Sequence, residues 1–476
     1  MNLRWTGGVI AGLAVVAAAV FFWWRAGNQR EIVAASIPPQ PDLGALPAEM
    51  RQRVAATEER ARRGPGRVAA LGELSVLYHA NGFFTQAGQC YQGLLQVDAA
   101  NPRWAHRYAT ILAGYGQLEE ALLLWRRAVE LAPDFLLVRL KLGDALLKTN
   151  RNAEAAMVYD AVLKREPDNP YALLGLARID MDAKRWQAAR NRLEVVVAKT
   201  NYTIGYDLLP TVCEYLGDTR RAESIRGQRK DSGAFVDVPD PWIDELFDDC
   251  YDTYRLILAG GSADQSGDHR TAMRRLDRAA ILKPGDVAIQ FKLAAIDVEL
   301  HDSTGARRHF ERCVALAPDF PDGWIELVLL LKKMGDREAS ERALATGLVH
   351  CPRSPGLHLE RGRQLSAAGR LTEAVGEFQE SIRLRPNEAV AYIDLASAYF
   401  GLDRIDEALV ELRQSLMVEP QNPMALSTLA LHAIRTGDEP GATELLKRIR
   451  MQPRIFPEDL ETLVRGYRER FGRSPW

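Results

Sequence analysis

The chain has 476 residues, a formal net charge of −2, 26% charged residues and 47% hydrophobic residues. A charge so close to zero gives no electrostatic pull toward nucleic acid or an anionic surface, and none is expected as a partner. The five cysteines (Cys90, Cys213, Cys250, Cys313, Cys351) form no CxxC pair and the histidines no HExxH pair. A zinc ribbon, a haem attachment site and a zincin centre are therefore excluded, and no cofactor, metal or catalytic site is expected.

In chain order, residues 6–24 come first, with 19 uncharged positions. At a rise of about 1.5 Å per residue they would span roughly 30 Å. Phe21, Phe22, Trp23 and Trp24 stand at the far end and Arg25 closes the run. A membrane anchor over residues 1–30 is predicted, with a signal peptide cleaved near Ala17 to Ala19 as the alternative. Arginine outnumbers lysine, which is read as the codon bias of a GC-rich bacterium. The expected location is thus a bacterial inner membrane, crossed once, with the bulk of the chain periplasmic. Residues 31–67 read as a proline-rich linker, with Pro38, Pro39 and Pro41, and a leading helix from Pro47 to about Arg63.

Beyond that point a period of 34 residues governs the sequence. Prolines recur at Pro284, Pro318, Pro352, Pro386 and Pro420. Alanines keep the same step at Ala87, Ala121, Ala155 and Ala189, then at Ala272, Ala306, Ala374, Ala408 and Ala442, with Ser340 in the missing place. Such a period means stacked copies of one small unit. Residues 102–135 show its logic. Trp104, Tyr108, Ile111 and Leu112 have helical spacing, Gly114 and Gly116 mark a turn, and Ala121, Leu124, Trp125, Ala128 and Leu131 form a second helix that Pro133 stops. About eleven helical hairpins are predicted, in a first array over 68–230 and a second over 253–456. A capping helix over 457–476 carries Leu460, Leu463, Val464 and Tyr467.

The register breaks once, at 231–252, where eight acidic residues occur with no basic one. Asp240 and Pro241 are a good helix start. Ile243, Leu246, Phe247, Cys250, Tyr254 and Ile257 then fall on one face, and Asp244, Asp248, Asp249 and Asp252 on the other. The expectation is one amphipathic helix with a solvated acidic face, acting as a joint between the arrays. A patch for a cation or a basic partner is the second reading, and a Cys213–Cys250 disulfide stays open. The spacing excludes an EF-hand loop. The glycine-rich stretch 259–268 lacks the Lys-Ser/Thr of a phosphate loop and reads as a turn.

Leu74, Tyr78, Ala87 and Tyr91; Leu142, Gly143, Ala155, Tyr159 and Pro167; Trp324, Leu327 and Pro352; and Tyr392, Leu395, Ala396, Tyr399, Ala408 and Pro420 resemble the signature positions of the tetratricopeptide repeat (TPR) family. Residues 70–104 are also similar to the opening repeat of membrane-attached bacterial members. The resemblance implies an all-α fold: an α-solenoid of about eleven TPR-like hairpins behind one N-terminal transmembrane helix. It implies binding of a protein or peptide by the first helices of the hairpins, and no chemistry. Carried onto this sequence, the groove positions are Arg103, His106, Asp144, Tyr171 and Arg178 in the front half. In the back half they are Phe291, Ile325, Leu329, Ile393, Phe400, Met424 and Leu431. The front is expected to favour acidic groups through Arg103 and Arg178, and the back an apolar segment. The function expected is a membrane-tethered scaffold or adaptor, with assembly of a cell-envelope complex as one use. A catalytic or transport component completed by a partner is the alternative. The sequence leaves the oligomeric state open.

Overall fold

The computed structural model describes residues 27–200, 202–229, 238–451 and 457–476. They form helices, and no β-strand occurs among them. The chain divides into two compact units, Met1–Pro284 and Gly285–Trp476.

Eleven hairpins follow one another, each with a first helix, a tight turn and a second helix. The first unit holds six, from Arg67–Ala80 with Phe84–Val97 to Thr253–Gln265 with His269–Leu282. The second holds five, from Val287–Glu299 with Ser303–Leu316 to Pro423–Thr436 with Glu439–Arg450. Two features make each hairpin close. The residue between the helices is left-handed every time: Gly82, Gly116, Asn150, Lys184, Gly217, Gly267, His301, Gly335, Gly369, Asp403 and Gly437. The next amide then bonds the carbonyl five residues back, as Gln117 does to Leu112 at 2.9 Å and Arg404 to Tyr399 at 2.9 Å. This is the Schellman closure of a helix end.

The second feature is the small residue of the second helix. Ala87, Ala121, Ala155, Ala189, Ala222, Ala272, Ala306, Ala374, Ala408 and Ala442 are all fully buried. At the place left to Ser340 the hydroxyl donates to the Val328 carbonyl at 3.2 Å, so a polar side chain is tolerated there. Two large rings of second helices, Tyr159 and Phe378, fit beside glycines. An added Cβ at Gly143 or Gly175 would come 2.6 Å and 2.3 Å from the Tyr159 ring.

Each unit is closed at one end by a further helix. Ala48–Arg63 buries Met50 and Val54 against the first hairpin, in one core with Leu71, Leu74 and Tyr78. Pro457–Phe471 buries Leu463 and Tyr467 on Leu446 and Ile449, and Tyr467 Oη lies 2.8 Å from Thr443.

Two expectations are corrected. Among the described residues no helix is long and apolar enough to cross a membrane. The longest, Ala48–Arg63, has 16 residues and is rich in charge; at 1.5 Å per residue it spans only about 24 Å. A single-pass inner-membrane location is therefore not supported. Residues 6–24, on which that expectation rested, lie outside the described residues. The second correction concerns the acidic segment, which is not one amphipathic helix. Pro241–Asp244 is a single turn, Glu245–Asp249 is a 3-10 turn, and the backbone is extended at Cys250. Asp252 then caps a separate helix, accepting from the amides of Tyr254 at 2.9 Å and Arg255 at 3.3 Å. The cysteines are all buried free thiols, so Cys213 and Cys250 are not bonded to each other.

Candidate partner-binding surfaces

The acidic segment is seated on the first helices of its own unit. Asp240 caps the Pro241 turn through the Ile243 amide and also accepts from His106 Nε2 at 2.7 Å. The ring of His106 is wholly buried, and its Nδ1 accepts from the indole N–H of Trp125 at 3.2 Å. An indole nitrogen only donates, so Nδ1 is bare and Nε2 carries the proton. The ring is thereby aimed at the carboxylate through Nε2. The Trp242 ring packs 4.2 Å from that of Phe135 and edge-on to His106 at 5.5 Å.

Arginines supply the rest of the seat. Glu245 accepts from Arg103 at 2.8 Å and from Arg107 at 3.0 Å, and Arg107 also donates to the Trp242 carbonyl at 2.8 Å. Asp244 pairs with the buried Arg275, whose guanidinium lies 4.5 Å over the Phe247 ring. Burial pushes the Asp244 carboxyl up, and Arg275 only partly offsets this. Asp249 pairs with Arg53 at 2.8 Å. Burial draws the Arg53 guanidinium down, but bonds to Tyr251 and Asp249 more than offset that, and its pKa lies above the usual range. Asn81 clamps the extended stretch at both edges. Its Nδ2 donates to the Asp249 carbonyl at 3.0 Å, and its Oδ1 accepts the Tyr251 amide at 2.6 Å. Of the acids expected to face solvent, Asp244 and Asp249 thus face the chain's own cations, and Asp252 caps a helix. Arg53, Asn81, Arg107 and Arg275 are missing from the sequence-predicted set. Their only signal is that an acidic run without bases needs counter-charges from elsewhere, and composition does not locate them.

The other front-half positions lie on the next two first helices, Leu136–Lys148 and Pro170–Asp182. Asp144, Tyr171 and Arg178 line a cavity of about 430 Å³ together with Trp125, Lys141 and Lys148. Asp144 accepts from the Tyr159 hydroxyl at 2.6 Å, and the hydroxyls of Tyr171 and Tyr202 lie 3.0 Å apart. Arg178 is exposed.

In the second unit the predicted positions divide. Ile393 is 6% exposed and belongs to the core. Phe291 is half-buried, edge-on to Phe310 and Phe320. Ile325 and Phe400 are half-buried against the cores of their own hairpins. Leu329, Met424 and Leu431 are exposed, at 37%, 61% and 39%. Beside them runs a charged row. Glu360 pairs with Arg363 at 2.6 Å, and Arg363 with Asp394 at 2.7 Å. This surface is more polar than the sequence implies, because several of the apolar positions turn into the core.

Family models of the tetratricopeptide repeat match residues 150–201, 325–389 and 365–427. The chain is 28% identical over 206 residues to cellulose synthase operon protein C of Xanthomonas axonopodis pv. citri (strain 306), covering 41% of this chain and 14% of that protein. It is 21% identical over 315 residues to the TPR repeat-containing thioredoxin TTL4 of Arabidopsis thaliana, covering 60% of this chain and 45% of that one. The chain therefore spans less than half the length of either relative. Among solved structures, yeast Tom70 is similar with a TM-score of 0.38 and 14% identity, over 84% of this chain and 94% of that one.

Proposed function

We propose that this chain, an array of tetratricopeptide repeats, is a scaffold or adaptor whose second unit binds a segment of a partner protein on its first helices. The observation that carries this reading is the exposure of Leu329, Met424 and Leu431 on those helices. Leu329 and Leu431 are 102 residues apart, three 34-residue steps, and so occupy equivalent places. The places between them hold Arg363 and Ser397; apolar contacts at both ends suit an amphipathic helix or extended segment, and Arg363, with Glu360 and Asp394, fixes its register. In the first unit the acidic segment fills part of the corresponding surface. What remains there for a partner is the cavity at Tyr171 and Arg178, whose cations suit an acidic group. The adaptor holds its partner for assembly into a larger complex.

The test compares the wild-type chain with Leu329, Met424 and Leu431 all changed to serine. Partners cross-linked to the wild type should be lost from this variant and kept by Met157→Ser, a control exposed on a second helix of the first unit. Circular dichroism should be unchanged in both. Equal capture by all three proteins ends the assignment.

A further inference from the structure

We propose that the first unit carries a second, independent site: a neutral cleft on the helix Phe84–Val97 that binds an uncharged polyhydroxylated chain, an oligosaccharide. The cleft has a volume of about 760 Å³, and its lining contains no charged residue although 26% of the chain is charged. A lining so unlike the rest of the molecule selects against ionic ligands, whose desolvation it cannot repay.

The donors and acceptors narrow the class. Gln89, Gln92 and Gln96 are spaced i, i+3 and i+7 on one face of the helix, so their amides form a row. Each amide nitrogen already donates within the chain: Gln89 to the Ala35 carbonyl at 3.3 Å, Gln92 to Tyr108 Oη at 2.7 Å, and Gln96 to the Gln92 carbonyl at 3.3 Å. The amide oxygens of the row remain as acceptors, and each nitrogen keeps a second N–H to donate. Tyr108 Oη, having accepted from Gln92, keeps its own proton to give. A row that both accepts and donates calls for a ligand dense in hydroxyls, each of which can also do both. A saccharide presents several hydroxyls per residue, whereas a peptide backbone presents one N–H.

The apolar part fits the same class. Tyr115 is 62% exposed at the mouth, edge-on to Phe84 with centroids 6.4 Å apart. An exposed flat ring beside amides is a platform for the C–H face of a pyranose. Two glycines shape the walls. A Cβ at Gly88 would come 3.2 Å from Tyr108, and one at Gly93 would come 2.0 Å from Ser36 Oγ. Both glycines let a neighbouring wall close to van der Waals distance beside the row of amides.

The experiment titrates the full chain with neutral hexasaccharides, namely cellohexaose, maltohexaose and chitohexaose. Hexagalacturonate and an uncharged Gly-Ser peptide serve as controls, and calorimetry is the readout. At least one neutral hexasaccharide should bind with Kd below about 1 mM. The affinity should be unchanged between roughly 0.05 and 0.5 M salt, because no ion pair is involved. Tyr115→Ala and Gln96→Ala, both at exposed positions that leave the core intact, should each weaken binding about tenfold or more. The proposal is overturned if no neutral sugar binds, if only the acidic sugar does, if the peptide binds through the same residues, or if neither variant changes the affinity. Loss of the partner in the Leu329, Met424 and Leu431 variant leaves this result untouched, so the two readings fail separately.

Discussion

His79 shows how a single buried group ties stability to pH. Burial, with help from Arg107 and Arg255, holds its imidazole down to about 3, and its Nδ1 lies 3.1 Å from the Tyr91 hydroxyl. The unfolded pKa is about 6.5. The folded state therefore prefers the neutral ring. This stability is complete above the unfolded value and is lost as pH falls from there toward 3, at most about 1.4 kcal/mol per unit. His79→Gln removes that dependence. Between pH 7 and 5, amide exchange in Arg67–Ala80 should show a difference between wild type and variant that changes by roughly 2 kcal/mol; an unchanged difference would show that the ring titrates normally. A second residue-scale effect sits in the turns. Lys184 and His301 hold the left-handed conformation at φ 57° and 61°, where most hairpins place glycine. A side chain there costs about 1–2 kcal/mol, against the 0.5–1 kcal/mol of chain entropy that glycine forfeits. Lys184→Gly should stabilise the first unit by about 0.5–1 kcal/mol in urea denaturation, and Gly335→Ala should destabilise the second by a similar amount.

At the scale of elements, the acidic segment is the departure from repetition. Its sequence looks like an amphipathic helix because the apolar spacing from Ile243 to Ile257 is helical. The chain breaks that helix at Cys250 because Asn81 takes the backbone of Asp249 and Tyr251, and because Asp252 starts another helix. Contacts with residues some 170 positions away outweigh a local preference worth tenths of a kcal/mol per residue. Two substitutions weigh these contacts. Trp242→Ala removes the ring packed on Phe135 and His106 and should cost about 2 kcal/mol, below the 3–5 kcal/mol of a fully buried ring. Glu245→Gln removes the negative charge facing the nearly buried Arg107, whose other acceptor is the Trp242 carbonyl, and should cost about 1–2 kcal/mol, since Glu245 is itself 43% exposed. Both losses should register as faster exchange in Pro102–Gly114, with Pro321–Lys333 unaffected. Faster exchange in both units would mean that the segment does not act locally.

At the scale of the whole molecule, a repeat array is a sum of hairpins and the interfaces between neighbours. Its ends are where that sum is incomplete. Removing residues 457–476 uncovers Leu446 and Ile449, now packed against Leu463 and Tyr467. The last hairpin, Pro423–Thr436 with Glu439–Arg450, should then lose protection first in hydrogen exchange, while the hairpin Val287–Glu299 keeps its own. Uniform loss across Gly285–Trp476 would instead mean that this unit unfolds as one cooperative body.

The 34-residue step already implies helical hairpins and their small-residue contacts, because each hairpin is built from residues close in sequence and repeats the same local solution. Ala121 has to be small and Gly116 left-handed whatever lies elsewhere in the chain. Leu329 and Leu431 hold one repeat position three steps apart and are exposed to the same degree, 37% and 39%. The destination of the acidic run was not legible. Asp240, Glu245 and Asp249 find His106, Arg107 and Arg53 across separations of 134 to 196 residues, and no periodicity records a pairing made once. Nor does spacing separate Ile393, which is buried, from Leu431, which is not, since that depends on how closely the neighbouring hairpin approaches. Local rules repeat and so leave a pattern in the chain, whereas a long-range contact occurs once and is specified only when folding brings its two halves together.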